Sequence, residues 1–240
     1  MIINNVKLVL ENEVVHGSLE VQDGEIRAFA ESQSRLPEAM DGEGGWLLPG
    51  LIELHTDNLD KFFTPHPKVD WPAHSAMSSH DALMVASGIT TVLDAVAIGD
   101  VRDGGDRLEN LEKMINAIEE TQKRGVNRAE HRLHLRCELP HHTTLPLFEK
   151  LAQLGLLDIL SSDYYPASLL DAAFRVADDQ SNRFTLPQAV RLVTKNPAQA
   201  LNLQDRGVIG EGNRADLVLA HRKGNHIHID HVWRQGKRVF

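Results

Sequence analysis

Apolar and polar positions alternate at both ends of the chain and change period in the middle. Near the start, Val6-Lys7-Leu8-Val9-Leu10 and the stretch from His16 to Val21 have the pattern of short strands. Glu25 to Phe29 continues it after Asp23-Gly24. Asp-Gly between alternating runs predicts a two-residue hairpin turn. Gly42-Glu43-Gly44-Gly45 then interrupts the pattern. The far end repeats it: Ala215 to Ala220, His226 to Trp233 and Arg238 to Phe240 are strand-like, with turns at Lys223-Gly224-Asn225 and Gln235-Gly236-Lys237. These β-rich ends predict one small β-sandwich domain assembled from residues 1–46 and 204–240.

Between them strand and helix patterns alternate. Trp46 to Leu54 predicts a buried strand ending at His55, and Ser79 to Ala86 a short helix. Gly88 to Val96 is a β-branched strand. Arg107 to Arg124 carries Leu108, Leu111, Met114, Ile115 and Ile118 at helical spacing with charges opposite. His131 to Leu139 alternates as a strand, Thr144 to Leu157 is helical around Gly155, and Leu156 to Asp163 is another strand ending in an acid. Thr185 to Leu201 holds a helix starting near Pro187 and a second turn at Pro197-Ala198. This alternation predicts an α/β unit with a parallel sheet over residues 47–203.

Composition narrows the setting. With 42% hydrophobic and 25% charged residues in 240, the chain is ordinary for a soluble protein. The lone Cys137 excludes an internal disulfide and predicts a reducing, cytoplasmic compartment. There is no basic, then apolar, leader at the N-terminus, and no apolar run approaches the ~18 residues of a membrane span. A net charge of −9 argues against nucleic acid as a partner. It also repels small anions at long range, so a phosphate site would need local cations.

The sharpest chemical feature is His55-Thr56-Asp57 after an apolar strand. Residues two apart in a strand share a side, so both could face one divalent cation such as zinc, manganese or iron; the alternative is a chance His-x-Asp in a loop. Glu138 and Asp163 each end an apolar strand, where parallel α/β folds expose functional groups. Each is open to two readings: a metal ligand or base on an acidified water, or a helix cap or surface acid. Asp94 shares that ambiguity and is read mainly as structural. His226 and His228 share one strand face but read as exposed positions; His141-His142 follows Glu138 in what reads as a solvated loop. His131 and His134 fall on opposite strand faces, and Cys137 points away from Glu138 as a core residue. The chain has no G-x-S-x-G, P-loop or G-x-G-x-x-G motif, which weakens serine-hydrolase, P-loop and dinucleotide readings.

Together these segments resemble the amidohydrolase superfamily. Trp46 to Asp57 is similar to its first barrel strand, with Pro-Gly-hydrophobic-hydrophobic-Glu before the ligand pair. Ala189 to Leu203, with Val193 to Leu201 within it, is similar to its final helices, and Gly207 to Leu219 to the return into the β-domain. His55-Thr56-Asp57-Asn58-Leu59-Asp60-Lys61, Pro67 to Pro72 and Ser161-Ser162-Asp163-Tyr164-Tyr165-Pro166 narrow the resemblance to the phosphonate-metabolism M protein family of the carbon–phosphorus lyase pathway. That resemblance implies a hydrolase that splits ribose 1-methylphosphonate 5-triphosphate into the 5-phosphate and pyrophosphate. It implies His55, Asp57, Glu138 and Asp163 as metal ligands, with Asp163 also the general base on the attacking water. Lys61, Lys68 and Arg136 are candidates for offsetting phosphate charge.

The chain also departs from the family. The stretch between Gly50 and Arg183 is far shorter than the ~200–250 residues of an eight-stranded barrel. About four of eight barrel strands find a place, and the text jumps near Leu151/Ala152 to the helix before the last strand. The expectation is therefore an incomplete (β/α) barrel plus the small β-sandwich. Functionally the choice lies between that hydrolase and an inactive deletion remnant that folds partly or pairs with a second copy to complete a sheet. A binding module resting on the terminal β-domain is the third reading.

Overall fold

Asp23 and Gly24 both take positive φ, 52° and 87°, the conformation a tight hairpin turn demands. They join β2 (Val14–Gln22) to β3 (Glu25–Ala30) in antiparallel register. The computed structural model describes residues 1–98, 106–137, 161–179, 181 and 183–240. The larger sheet draws on both ends of the chain. β1 (Ile2–Val9) pairs antiparallel with β2 and parallel with both β4 (Met40–Asp41) and β5 (Trp46–Pro49). β5 then pairs antiparallel with a strand from the far end, β9 (Leu217–Lys223), matching Leu47 to Leu219 and Leu48 to Val218. β10 (His226–Arg234) and β11 (Lys237–Arg238) extend that edge, giving the order β11-β10-β9-β5-β1-β2-β3.

Period-2 alternation gives this sheet two apolar faces. Leu47 and Leu219 pack with Ile3, Leu8, Leu19, Ile26 and Trp233 on one side. Leu48 and Val218, one residue along, join Leu51, Met84, Ile89, Val92, Phe174 and Val193 on the other. That second cluster binds the larger sheet to the α/β part.

The strand expected to run unbroken from Trp46 to His55 is two strands in two sheets. β5 ends at Pro49, and β6 (Leu51–Thr56) starts a parallel sheet with β7 (Ile89–Ile98) and β8 (Glu130–Cys137). The break falls at Gly50. Its N–H donates to Asp216 O at 2.7 Å, and a Cβ there would lie 2.3 Å from Thr90 Oγ1. Close backbone approach at the crossover therefore requires glycine.

Helices cover the parallel sheet: α1 (Asn58–Phe63), α2 (Ala73–Ala86) and α3 (Asp106–Lys123). The helix expected from Ser79 begins six residues earlier, directly after Pro72, and its first turns bury Ala76 and Met77. Leu59, Phe63, Met77, Val96, Met114 and Ile118 form their shared core. α4 (Leu169–Asp178), α5 (Leu186–Arg191) and α6 (Lys195–Ala200) follow. Thr185 and Gln188 close a capping box at the start of α5, where Pro187 sits in the first turn. Among the described residues the parallel sheet has three strands, and no helix is long and apolar enough to cross a membrane.

Candidate metal centre

The C-terminal end of β6 delivers His55 and then Asp57, which sits at the entry to α1. Asp163 comes to the same place from more than a hundred residues away. Its N–H donates to His55 O at 3.1 Å, and its carbonyl accepts from Asp57 N at 3.1 Å and Thr56 Oγ1 at 2.8 Å. These three bonds hold Asp163 at φ 54°, in the left-handed region that acidic residues tolerate better than branched ones. His55 Nε2 then lies 3.4 Å from Asp163 Oδ1 and 3.8 Å from Asp57 Oδ1. One ligand atom from each of the three residues falls within 4.8 Å of the others.

A buried acid builds the scaffold beneath them. Glu53, fully buried, accepts from the His55 N–H at 3.0 Å, the Ser162 N–H at 2.9 Å and the Ser161 hydroxyl. Ser161 also lies 2.8 Å from His55 O. Glu53 thereby ties the Ser161–Asp163 segment to β6 with charge-assisted bonds. His134, on β8, packs edge-to-face on His55 at 4.9 Å between ring centres, and its Nδ1 donates to Leu54 O at 3.0 Å.

The donor set suits a divalent cation. One imidazole and two carboxylates are the mixed nitrogen and oxygen ligands that zinc, manganese or iron accept. Asp163 Oδ1 is buried and has no hydrogen-bond partner. An orphaned carboxylate oxygen is costly unless something positive meets it, and a cation facing His55 Nε2 would do so.

A second group of the same residue types is tied together by its own hydrogen bonds, although His80 Nδ1 is buried with no partner. His80 on α2, Asp94 on β7 and His131 on β8 are all fully buried. Asp94 bonds His80 Nε2 at 2.6 Å and His131 Nδ1 at 2.8 Å, and His131 Nε2 reaches Asp81 Oδ1 at 3.2 Å. Asp81 also accepts the N–H groups of Arg128 and Ala129. Burial alone would push His131 down, yet the Asp94 and Asp81 carboxylates hold it up at about 9. Asp94 resists its own burial and stays well below the usual carboxylate range because two imidazoles face it.

The model of the amidohydrolase family matches residues 129–240. Alpha-D-ribose 1-methylphosphonate 5-triphosphate diphosphatase of Escherichia coli (strain K12) is 62% identical over 378 residues, covering 100% of both chains. The chain belongs to the amidohydrolase superfamily, in the phosphonate-metabolism M protein family. Solved structures agree on the fold. N-acetylglucosamine-6-phosphate deacetylase from Thermotoga maritima superposes with a TM-score of 0.65 at 14% identity, over 100% of this chain and 99% of that one. N-isopropylammelide isopropylaminohydrolase from Burkholderia multivorans gives 0.63 at 14% identity, over 99% and 97%.

Of the four ligands expected for this family member, His55, Asp57 and Asp163 come together, and Glu138 lies outside the described residues. His141, His142, the Leu151/Ala152 junction and residues 156–160 of the strand expected to lead to Asp163 also lie outside them, as does the side chain of Arg136. Lys61 stands beside the centre: its Nζ donates to Tyr164 O at 2.6 Å and sits 4.7 Å from the Tyr164 ring centre. Lys68 is exposed, at positive φ, in the turn after α1. Sequence reasoning passed over Glu53 as an organiser and His134 as a neighbour of His55; it read Asp94 as mainly structural but not its partners His80 and Asp81.

Proposed function

We propose that the chain is a metal-dependent hydrolase of phosphonate degradation, cleaving ribose 1-methylphosphonate 5-triphosphate to the 5-phosphate and pyrophosphate. The orphaned Asp163 Oδ1, facing His55 Nε2 at 3.4 Å, carries the proposal. His55, Asp57 and Asp163 would hold a divalent cation, with Glu138 as a fourth ligand. A cation there supplies positive charge to the phosphate oxygens and acidifies the attacking water. The Asp163 carboxylate would take that water's proton, held in reach by the bonds its backbone makes with His55, Thr56 and Asp57. Lys61, anchored on Tyr164, offsets phosphate charge at the rim, with Lys68 and Arg136 as further cations. The identity to a relative whose name states this activity supports the substrate.

We also infer that the chain is internally shortened near Leu151/Ala152. In support, the alignment runs over 378 residues and covers both chains end to end, while this chain has 240. That favours a second reading in which the metal centre persists but turnover is lost, because the barrel wall is incomplete. One experiment separates the two: metal content and pyrophosphate release from the triphosphate substrate, measured on the same size-selected protein. Bound metal with release supports the hydrolase. Bound metal without release supports the shortened, inactive form, and a metal-free folded chain overturns both.

A further inference from the structure

The opposite end of the parallel sheet carries a cavity that the proposed chemistry does not use. His55 and Asp57 lie where β6 ends, whereas this cavity opens where β8 begins, at Glu130 and His131. It measures about 720 Å³ and is walled by the loop between α3 and β8 on one side and by β10 and β11 on the other. Arg128, Arg234, Lys237 and Arg238 line it.

Its one lining carboxylate is already neutralised. Glu130 receives Arg206 Nη1 at 2.6 Å, Arg214 Nη1 at 2.9 Å and Arg132 Nη2 at 2.7 Å. Burial opposes its charge, but these guanidinium groups hold Glu130 down at about 2. The other acids nearby are engaged as well. Asp216 pairs with Arg214, and Asp81 takes His131 and the Arg128 and Ala129 N–H groups, with Arg128 Nη1 at 3.5 Å.

Apart from Arg128, which Asp81 partners, the lining arginines bond main-chain oxygens. Among the described residues, Arg234 donates from Nη1 to Asn127 O and Arg128 O, and its Nε is buried with no partner. Burial and the like charge of Arg214 both disfavour its protonated form. Arg238 donates to Phe240 O at 3.2 Å. In a chain of net charge −9, cations gathered around one cavity with a spent acid form a local exception to the surrounding field.

We propose that this cavity binds a free polyphosphate anion, of the size and charge of inorganic pyrophosphate. Guanidinium forks match phosphate oxygens in pairs, and several cations around one space favour a ligand with several negative oxygens over a single carboxylate. The volume falls in the usual range for small-ligand sites.

The test is calorimetric titration of the full chain with inorganic pyrophosphate after chelator treatment removes metal. Saturable binding is expected, weakened at least about tenfold both in Arg234→Met and in the surface double variant Lys237→Glu with Arg238→Glu. The double variant keeps the question open to refutation if loss of Arg234 loosens the Asn127–Arg128 loop. Asp163→Ala should leave binding unchanged. Absence of binding at millimolar pyrophosphate, insensitivity to the double variant, or loss of binding in Asp163→Ala would each overturn the proposal.

Discussion

Two clusters of histidine and aspartate lie in and beside the parallel sheet, and they differ in how their carboxylates meet their histidines. In the His80–Asp94–His131 group every carboxylate oxygen that faces a histidine is 2.6–3.2 Å from a ring nitrogen, and no side chain meets solvent. In the His55–Asp57–Asp163 group the nearest such separations are 3.4 and 3.8 Å, and one carboxylate oxygen has no partner. Residue type is nearly identical. Geometry closes the carboxylates of one group onto its imidazoles, leaving His80 Nδ1 without a partner, and in the other leaves a carboxylate oxygen, Asp163 Oδ1, without one. An acid oxygen left without a partner beside an imidazole, rather than residue type alone, is what singles out the His55 group as the candidate metal site.

The largest effect should come from opening the closed group. Asp94→Asn removes the charge that two buried imidazoles face, and should cost ~3–5 kcal/mol in urea unfolding. A loss below ~1 kcal/mol would show that the network is not structural. Asp163→Asn should do the reverse: unfolding within ~1 kcal/mol of the parent, but metal retention and pyrophosphate release down at least ~100-fold. Equal metal content in parent and variant would remove Asp163 from the site.

The closed group should also carry a pH signature. His131 is raised from 6.5 to about 9, so the stability it contributes is complete below pH 6.5 and fades as the pH rises through about 9. Unfolding free energy measured across pH 6–10 should fall by ~1–3 kcal/mol, and His131→Gln should flatten that limb. Glu53→Gln, the mildest of the set, should cost ~1–2 kcal/mol and lower metal affinity by loosening the Ser161–Asp163 segment. An unchanged affinity would mean that the Asp163 backbone bonds suffice to position it.

Local features were legible in the sequence. Asp23-Gly24 specifies its own turn because the required φ values belong to those two residues. His55 and Asp57 are two apart on a strand end, so their shared direction follows from the pleat. Asp163 could be nominated, but its place against β6 could not, because the bonds that fix it run to residues more than a hundred positions away. The same holds for Glu53, whose role depends on Ser161 and Ser162. Gly50 looked like part of a continuous apolar strand. Only the approach of Thr90 and Asp216 shows it as the crossover between sheets. His80 and Asp81 gave no signal, since nothing local to α2 reveals which strand face it will meet.

Pairing β5 with β9 has a consequence for how the molecule is made. During synthesis β1, β2, β3 and β5 emerge early, and one side of β5 then waits as an open edge until residues 217–220 arrive. Bringing the two together costs closure entropy that grows only logarithmically, so halving the intervening chain changes it by only ~0.6 kcal/mol. The frame is thus nearly indifferent to how much chain lies between its early and late strands. It depends instead on those late strands arriving, so a nascent chain that stalls before β9 presents a sticky, unpartnered edge to its neighbours.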